Sequence, residues 1–236
     1  MKVVILTTDT LHHTYYVKQL LHQLDIVGCV IEQTSVKPKF ETHHSYVHKR
    51  DEFEKERFFQ GKSYRISELC SVLETSNIND SILLKKINEW KPDVTFAFGV
   101  TRLNHNTINS FPGLLLNLHG GNPQKYRGLD SHLWTIYHKD FKSLNTSLHF
   151  LSPRLDTGDI VQSESIPLFR NMKLHELRYA NTKVCVEISM NAMIALNKGN
   201  DLTRTAQKKL GRYYSYMPAV LIDSVIENFE RYTVRL

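Results

Sequence analysis

The first 32 residues restrict the fold of this chain more than any other stretch. Residues 2–8 (KVVILTT) and 26–32 (IVGCVIE) are rich in β-branched residues and predict two buried strands. Between them, apolar positions recur at helical spacing over residues 14–24. A strand–helix–strand unit of this length joins parallel strands by a crossover connection. We therefore predict an α/β fold with a Rossmann-like, mostly parallel sheet and helices on both faces.

The rest of the chain continues this pattern. Further strands are predicted at 94–100, 113–119, 145–152 and 159–168, and helices at 80–90, 131–141 and 172–199. In the helix at 80–90 we expect Asp80 to be the N-cap, and we expect four apolar side chains to face the sheet: Ile82, Leu83, Ile87 and Trp90. Residues 36–65 are charged and aromatic, which predicts an exposed helix with loops, as an insertion or lid. We assign residues 1–200 to one domain and residues 201–236 to a short C-terminal extension with a closing helix.

Charge and composition narrow the class of protein. The net charge of +6 and the pI near 9.1 favour an anionic partner, either a phosphorylated small molecule or nucleic acid, although a basic surface without a specific partner is equally compatible. No apolar run of 18 residues predicts a membrane span, and the N-terminal apolar run is too short for a signal peptide. The three cysteines are far apart in the sequence and form no CxxC pair, which favours a cytoplasmic protein.

The stretch LLLNLHGGNPQKYRG (114–128) combines a predicted strand end with polar chemistry. Asn117 and His119 are two residues apart, so both side chains can face one pocket at the carboxyl end of the strand, where ligands bind in parallel sheets. An amide and an imidazole suit an oxygen that gains negative charge during acyl transfer. Gly120 and Gly121 would let the backbone approach a ligand. A capping asparagine and a structural histidine are the alternative.

Two further motifs flank this one. In LDTGDIV (155–161), the carboxylate of Asp156 could hold His119 as an imidazolium or relay a proton, or it could belong to an ordinary turn. In FAFGVTRL (96–103), an apolar strand runs into Gly99 and could offer backbone amides and an apolar wall to a flat heterocycle. A core strand followed by a turn is the alternative for this segment.

The order FGVTRL, NLHGG…YRG, LDTGDI resembles the formyltransferases that use 10-formyltetrahydrofolate. The resemblance implies a formyltransferase catalytic domain over residues 1–200, with Asn117 and His119 stabilising the oxyanion and Asp156 assisting proton transfer. It also implies that the pterin ring lies against the backbone of residues 151–158. The cofactor-binding residues expected on this basis are Phe98, Gly99, Val100, Thr101, Leu103 and Asp156.

Differences between this sequence and several formyltransferase subfamilies narrow the choice of the amine substrate. The loop after the first strand (TTDTLHHTYY) has no glycine-rich phosphate motif, which argues against a glycinamide ribonucleotide enzyme. The residues after position 200 are too few for the extra domain of methionyl-tRNA enzymes. The chain most resembles the nucleotide-sugar N-formyltransferases, which formylate dTDP- or GDP-linked amino-dideoxy sugars for lipopolysaccharide O antigens and are often homodimers. Substrate contacts are expected at His12, His13, Lys125, Tyr126 and Arg127.

Two other functions receive weaker support. His44 and His48 have the i, i+4 spacing of two zinc ligands, but no local pattern places a third, so we expect no metal. The cations of residues 36–65 would suit RNA, yet Asp51, Glu52, Glu54 and Glu56 are interleaved with them. We therefore expect neither a nucleic acid nor a membrane as partner.

Overall fold

A seven-stranded sheet forms the centre of the protein, whose computed structural model describes residues 1–34 and 36–236. The strands are β1 (Lys2–Thr7), β2 (Asp25–Glu32), β3 (Val72–Thr75), β4 (Val94–Phe98), β5 (Leu114–His119), β6 (Tyr126–Gly128), β7 (Asn145–Phe150), β8 (Ile160–Ser165) and β9 (Arg212–Tyr214). The helices are α1 (Leu11–Leu21), α2 (Tyr46–Phe59), α3 (Ser81–Trp90), α4 (His105–Ser110), α5 (Ser131–Tyr137), α6 (Leu177–Asn197) and α7 (Ile222–Thr233). Short 3-10 helices span Ile66–Glu68, Phe141–Ser143, Leu174–Glu176 and Ala219–Leu221.

The strand order is β3-β2-β1-β4-β5-β7-β8. Strands β1 to β5 are parallel to one another, whereas β7 pairs antiparallel with β5 and β8 pairs antiparallel with β7. The order reverses between β1 and β4, and this reversal is where open α/β sheets bind their ligands. The prediction of a mostly parallel Rossmann-like sheet is confirmed, with the two antiparallel strands at one edge as an addition.

Helices cover both faces of the sheet, as predicted. On one face, α1 and α6 pack on the sheet through buried side chains such as Tyr16, Leu20 and Ile188. On the other face, α3 packs through Leu83 and Ile87 on the apolar side chains of β1 and β2. Burial of these large apolar side chains is the main stabilising contribution to such a core, at roughly 1.5–3 kcal/mol for each side chain.

The sequence placed α3 nearly correctly but assigned one side chain to the wrong face. Asp80 caps the helix by accepting a hydrogen bond from Ile82 N at 2.8 Å, as predicted. Trp90 lies against β2, where a Cβ on Gly28 would come within 2.5 Å of its ring. Ile82 is 75% exposed, so its predicted contact with the sheet is wrong. The apolar stripe of this helix is narrower than the apolar positions in the sequence suggested.

Residues 36–65 are packed more closely than an exposed insertion. Helix α2 contacts α1 and α6, and it buries Tyr46, Glu54, Phe58 and Phe59. Glu54 is fully buried and forms an ion pair with Arg178, whose Nε atom is 2.6 Å from Glu54 Oε1. Two of the acidic residues that break up the basic pattern of this segment, Asp51 and Glu54, therefore serve as partners for arginines, whereas Glu52 and Glu56 are exposed.

The C-terminal residues add a second small sheet and a second apolar cluster. Strand β9 pairs in parallel with β6, and α7 packs against α5 through Val225 and Phe229. In the described part of the chain, no helix is both long enough and apolar enough to cross a membrane.

Candidate active site

A cleft of about 770 Å³ opens at the carboxyl ends of β1, β4 and β5. All three predicted catalytic residues, Asn117, His119 and Asp156, line it. The two strand residues arrive there because β5 ends at His119, as the sequence indicated, and because alternate residues of a strand face the same side. Asp156 belongs to the loop between β7 and β8. The tertiary fold thus brings two sequence motifs that are 37 residues apart to one surface.

Asn117 is oriented by a histidine that the sequence analysis did not identify. The register of β5 and β7 places His149 directly opposite Asn117, and Asn117 Nδ2 is 3.1 Å from His149 Nε2. His149 Nδ1 lies 2.8 Å from the carbonyl oxygen of Phe150, which can only accept, so Nδ1 carries the hydrogen. In the neutral ring, Nε2 then accepts from the amide of Asn117. The second N–H of that amide remains available to another acceptor.

His119 has one ring nitrogen engaged and one facing Asp156. Its Nε2 atom is 2.8 Å from the carbonyl oxygen of Tyr126, so Nε2 carries a hydrogen and donates it. Its Nδ1 atom is 3.6 Å from Asp156 Oδ2. The imidazole is only 6% exposed. Nδ1 is therefore the ring nitrogen that faces the carboxylate.

Asp156 is a buried carboxylate held in an uncommon backbone conformation. Its φ of 53° lies in the left-handed region, which non-glycine residues adopt rarely and mostly at turns or functional sites. Oδ2 accepts a hydrogen bond from Gly128 N at 2.8 Å, and Oδ1 is 3.6 Å from His149 Nε2. Burial by itself raises the pKa of Asp156, but the charge of His119 and the contacts with His149 and Gly128 outweigh it and lower the pKa to about 2. The group is therefore anionic at neutral pH.

The Gly-Gly pair after β5 serves protein packing. A Cβ on Gly121 would lie 2.9 Å from both His119 Nε2 and Ser131 Cβ, and a Cβ on Gly120 would lie 3.0 Å from the ring of His132. Gly120 also lines the cleft, so the expected approach of this backbone to a ligand stays a prediction. Small residues here keep His119 in its bonded position.

The residues predicted to bind the cofactor lie on two adjoining surfaces. Phe98, Gly99 and Val100 line the main cleft. Val100, Thr101 and Leu103 line a narrow slot of about 30 Å³, which also reaches Asn117, His149 and Asp156. The opposite wall of the slot contains Leu151, Ser152 and Leu155. Thr101 is fixed by the buried Glu32, which accepts from both its backbone N and its Oγ1 at 2.6 Å.

The predicted substrate residues separate into two groups. His12 and His13 line the cleft, although burial, followed by nearby positive charge, lowers both pKa values, that of His13 to about 3. Both rings are thus neutral near pH 7 and cannot act as phosphate-binding cations.

Lys125, Tyr126 and Arg127 lie outside the cleft, contrary to the expected substrate contact. Lys125 Nζ binds Asp140 Oδ2 and Ser143 Oγ, each at 2.9 Å. The carbonyl of Tyr126 accepts from His119, and Arg127 donates to two backbone carbonyls, those of Gly211 and Leu155. Lys125 and Arg127 are thus occupied by protein partners, and the contact of Arg127 with Gly211 follows from the position of β6 beside the C-terminal strand β9.

The cleft also contains charged residues that the sequence analysis did not assign. Arg50 of α2 and Arg178 of α6 line it and share Asp51 as a partner, with Arg50 Nη2 and Arg178 Nη2 each 2.9 Å from Asp51 Oδ1. Asp130 lines the same region, and burial raises its pKa. In the sequence, only the i, i+4 run of charges in α2 hinted at a role for Arg50. Whether its side chain faces the cleft depends on how α2 packs.

Metal ligation has no support from the arrangement of side chains. Among the described residues, no group of three or more His, Cys, Asp or Glu side chains could hold a metal ion. His44 and His48 contact different carboxylates, those of Asp223 and Glu52.

Similar solved structures share this fold. A sugar N-formyltransferase from Shewanella sp FDAARGOS_354 superposes with a TM-score of 0.62 at 13% identity, covering 91% of this chain and 76% of that one. An N-formyltransferase from Helicobacter canadensis, in complex with folinic acid and dTDP-3-aminofucose, also gives a TM-score of 0.62, at 15% identity, and covers 91% of this chain and 71% of that one.

Curated relatives match the sequence over a shorter range. Phosphoribosylglycinamide formyltransferase of Escherichia coli (strain K12) is 29% identical over 125 residues, which are 52% of this chain and 58% of that protein. Methionyl-tRNA formyltransferase of Syntrophomonas wolfei is 26% identical over 137 residues, which are 58% of this chain and 43% of that protein. The chain spans about half the length of the curated relatives it matches. The sequence model of the family described as formyl transferase matches residues 1–192, a range that contains Asn117, His119 and Asp156, and the chain therefore belongs to the formyl transferase family.

Proposed function

We propose that this protein transfers a formyl group from 10-formyltetrahydrofolate to the amine of a nucleotide-linked amino-dideoxy sugar. The observation that carries the proposal is the meeting of Asn117, His119 and Asp156 at one end of a large cleft, beside the slot between residues 100–103 and 151–155. Membership of the formyl transferase family supports the reaction class.

The slot has the chemistry that a folate would require. Its walls contain the apolar side chains of Val100, Leu103, Leu151 and Leu155, which suit the faces of a flat bicyclic ring. Backbone groups of the same segments can pair with the ring edges. Since the slot measures about 30 Å³, its two walls have to separate when the ring enters. Bound there, the cofactor supplies an activated formyl group beside Asn117.

Asn117 and His119 would stabilise the formyl oxygen as it gains negative charge. The amide of Asn117 keeps one N–H free because His149 accepts the other, and this arrangement fixes the direction of donation. Nδ1 of His119, which faces Asp156 Oδ2 at 3.6 Å, is the second donor when it carries a hydrogen. A preorganised donor of this kind lowers the activation free energy by about 3 kcal/mol.

Asp156 would accept the proton that the attacking amine loses. The carboxylate is anionic at neutral pH because its pKa is about 2. It would take the proton of the amine directly or through water, while His119 Nδ1 keeps the hydrogen that it donates to the oxyanion. Its low exposure of 6% strengthens its electrostatic effect on the imidazole.

The far side of the cleft contains the two arginines that could meet a phosphorylated substrate. Arg50 and Arg178 line it and are partly balanced there by Asp51 and Glu54, whereas His12 and His13 are neutral. A nucleotide-linked sugar presents a diphosphate for such arginines and hydroxyl groups for the carboxylate of Asp130. Glycinamide ribonucleotide and methionyl-tRNA remain alternative substrates, since curated relatives carry those names. A homodimer in the cytoplasm with a role in surface polysaccharide synthesis is proposed from the resemblance alone.

The test is a thermal-shift screen followed by a transfer assay. Purified protein is incubated with dTDP, GDP, glycinamide ribonucleotide or initiator tRNA, each with and without 5-formyltetrahydrofolate. We expect a nucleoside diphosphate to raise the Tm, and the folate analogue to raise it further. Arg50→Gln should weaken the nucleotide shift, while Arg57→Gln, an exposed arginine of the same helix, serves as the matched control. If tRNA or glycinamide ribonucleotide raised the Tm instead and was then formylated, that molecule and not a nucleotide-linked sugar would be the substrate.

A further inference from the structure

The C-terminal residues contact the catalytic loop directly, although they lie beyond residues 1–192, the part that the family model matches. We call residues Thr205–Gly211 the 205–211 segment. Thr205 forms an antiparallel bridge with Ile160, with hydrogen bonds of 2.8 and 3.0 Å, immediately after the loop that carries Asp156. The segment therefore runs alongside the loop that joins β7 and β8.

Gln207 is the residue of this segment that reaches the loop. Its Nε2 atom donates to the carbonyl of Asp156 at 3.0 Å and to the carbonyl of Gly158 at 2.8 Å. Its Oε1 atom is buried and has no protein partner among the residues that the structure describes. The contribution of this amide is therefore its two N–H groups, both of which are given to the catalytic loop.

Arg127 holds the same loop from the other side. Its Nη1 atom donates to the carbonyl of Leu155 at 3.0 Å, and its Nε atom donates to the carbonyl of Gly211 at 2.6 Å. Three loop carbonyls, those of residues 155, 156 and 158, thus accept from two side chains that both join the loop to the 205–211 segment. Few backbone groups of an ordinary surface turn are fixed in this way.

The conformation fixed by these contacts is the one on which the site depends. Asp156 has a φ of 53°, a conformation that persists in a non-glycine residue only where its surroundings enforce it. The carbonyl of Asp156 and its side chain leave the same Cα, so restraint of the carbonyl also restrains the direction of the carboxylate. That direction places Oδ2 at 2.8 Å from Gly128 N and 3.6 Å from His119 Nδ1.

We infer that Gln207 is a positioning residue of the active site, which holds the Asp156 loop so that the carboxylate faces His119. This inference rests on the proposed function, because the effect on turnover presupposes formyl transfer through Asp156.

The test replaces Gln207 by methionine, which keeps the length of the side chain but removes both donors. Gln124→Met is the matched control, because Gln124 Oε1 accepts from Lys208 N at 2.8 Å and so holds the same segment without contacting the catalytic loop. We expect Gln207→Met to lower kcat about tenfold with little change in KM, and Gln124→Met to leave both unchanged. Gln207→Leu, which also lacks donors and adds no charge, should behave like Gln207→Met and replaces it if the methionine variant does not fold.

A double-mutant cycle distinguishes positioning from general damage. In an Asp156→Asn background, measured by single turnover, Gln207→Met should change the rate less than twofold, because the group it positions is already disabled. An equal loss in both backgrounds, or wild-type kcat in the single variant, would overturn the inference.

Hydrogen exchange gives a readout that does not require turnover. Gln207→Met should speed amide exchange in the peptide covering residues 152–160, while exchange in β1 and β4 stays unchanged. Unchanged exchange in 152–160 would also overturn the inference. If wild-type protein transferred no formyl group to any amine tested, the proposed function would fail, whereas the exchange result would still decide whether Gln207 holds the loop.

Discussion

Asn117 and His149 lie directly opposite each other on antiparallel strands, with Asn117 Nδ2 3.1 Å from His149 Nε2. His149 in turn donates to the carbonyl of Phe150, so the orientation of the Asn117 amide is set by the backbone of β7. The same imidazole lies 3.6 Å from Asp156 Oδ1. A single buried histidine therefore lies beside both the amide donor and the carboxylate, and it is hydrogen-bonded to the amide.

Removal of this histidine should misorient the Asn117 amide. We expect His149→Phe to lower kcat about tenfold to a hundredfold. The Asn117 donor would no longer point at the reacting oxygen, so part of the roughly 3 kcal/mol by which it stabilises the transition state would be lost. Steady-state kinetics would measure this loss. His105→Phe is the matched control, since His105 pairs with Asn109 in the same way on an exposed helix. Equal turnover of the two variants would contradict the prediction.

The three residues of the site should each be needed for turnover. Asn117→Ala and His119→Ala should each lower kcat by about a hundredfold to a thousandfold through loss of a donor, and Asp156→Ala should do so through loss of the proton acceptor. Circular dichroism should show that all three variants stay folded, and Asn228→Ala, far from the cleft, should retain full activity. Wild-type turnover in any of the three would remove that residue from the mechanism.

Acid should destabilise the protein in two steps. The folded-state pKa of His13 is about 3 and that of His132 about 4, both below the usual 6.5, mainly because of burial. Each therefore contributes stability that is complete above pH 6.5 and is lost as the pH falls towards its folded-state pKa, at about 1.4 kcal/mol per pH unit. Asp156, with a pKa of about 2 instead of 3.8, contributes stability that is lost only between those two values.

The first step can be tested with one substitution. The free energy of unfolding, measured by urea titration at pH 7 and pH 5, should fall more in wild type than in His13→Gln, because the glutamine takes up no proton on unfolding. His22→Gln, at the exposed opposite end of the same helix, is the control. The same pH dependence in all three proteins would show that His13 is not the source.

Alanine substitutions at two glycines distinguish the cost of backbone strain from the cost of steric contact. Gly99 and Gly199 have similar φ values of 82° and 77°, but a Cβ on Gly99 would lie 2.5 Å from His13 Nε2, whereas a Cβ on Gly199 would meet nothing within 4 Å. Gly199→Ala should therefore cost about 1 kcal/mol from strain alone. Gly99→Ala should cost more, because the buried ring of His13 must move. Equal losses in Tm would indicate that the ring moves freely.

The sequence determined the parallel sheet, the helices on both faces and the motifs at the ends of β4 and β5. Period-2 and period-3.6 patterns, the Asp80 cap and the strand end at Asn117–His119 are local properties, which a short stretch of chain expresses by itself. The order of the three motifs was also sufficient to indicate the family.

Tertiary structure alone decided how these parts meet. The antiparallel pairing of β5 with β7 selected His149 as the partner of Asn117, and the pairing of β6 with β9 turned Arg127 away from the cleft and towards the loop of Asp156. The packing of α2 directed Arg50 into the cleft, and the packing of α3 on the sheet through Leu83 and Ile87 left Ile82 exposed. Such contacts join residues far apart in the chain, and their geometry depends on strand register and helix packing, which no local sequence pattern encodes.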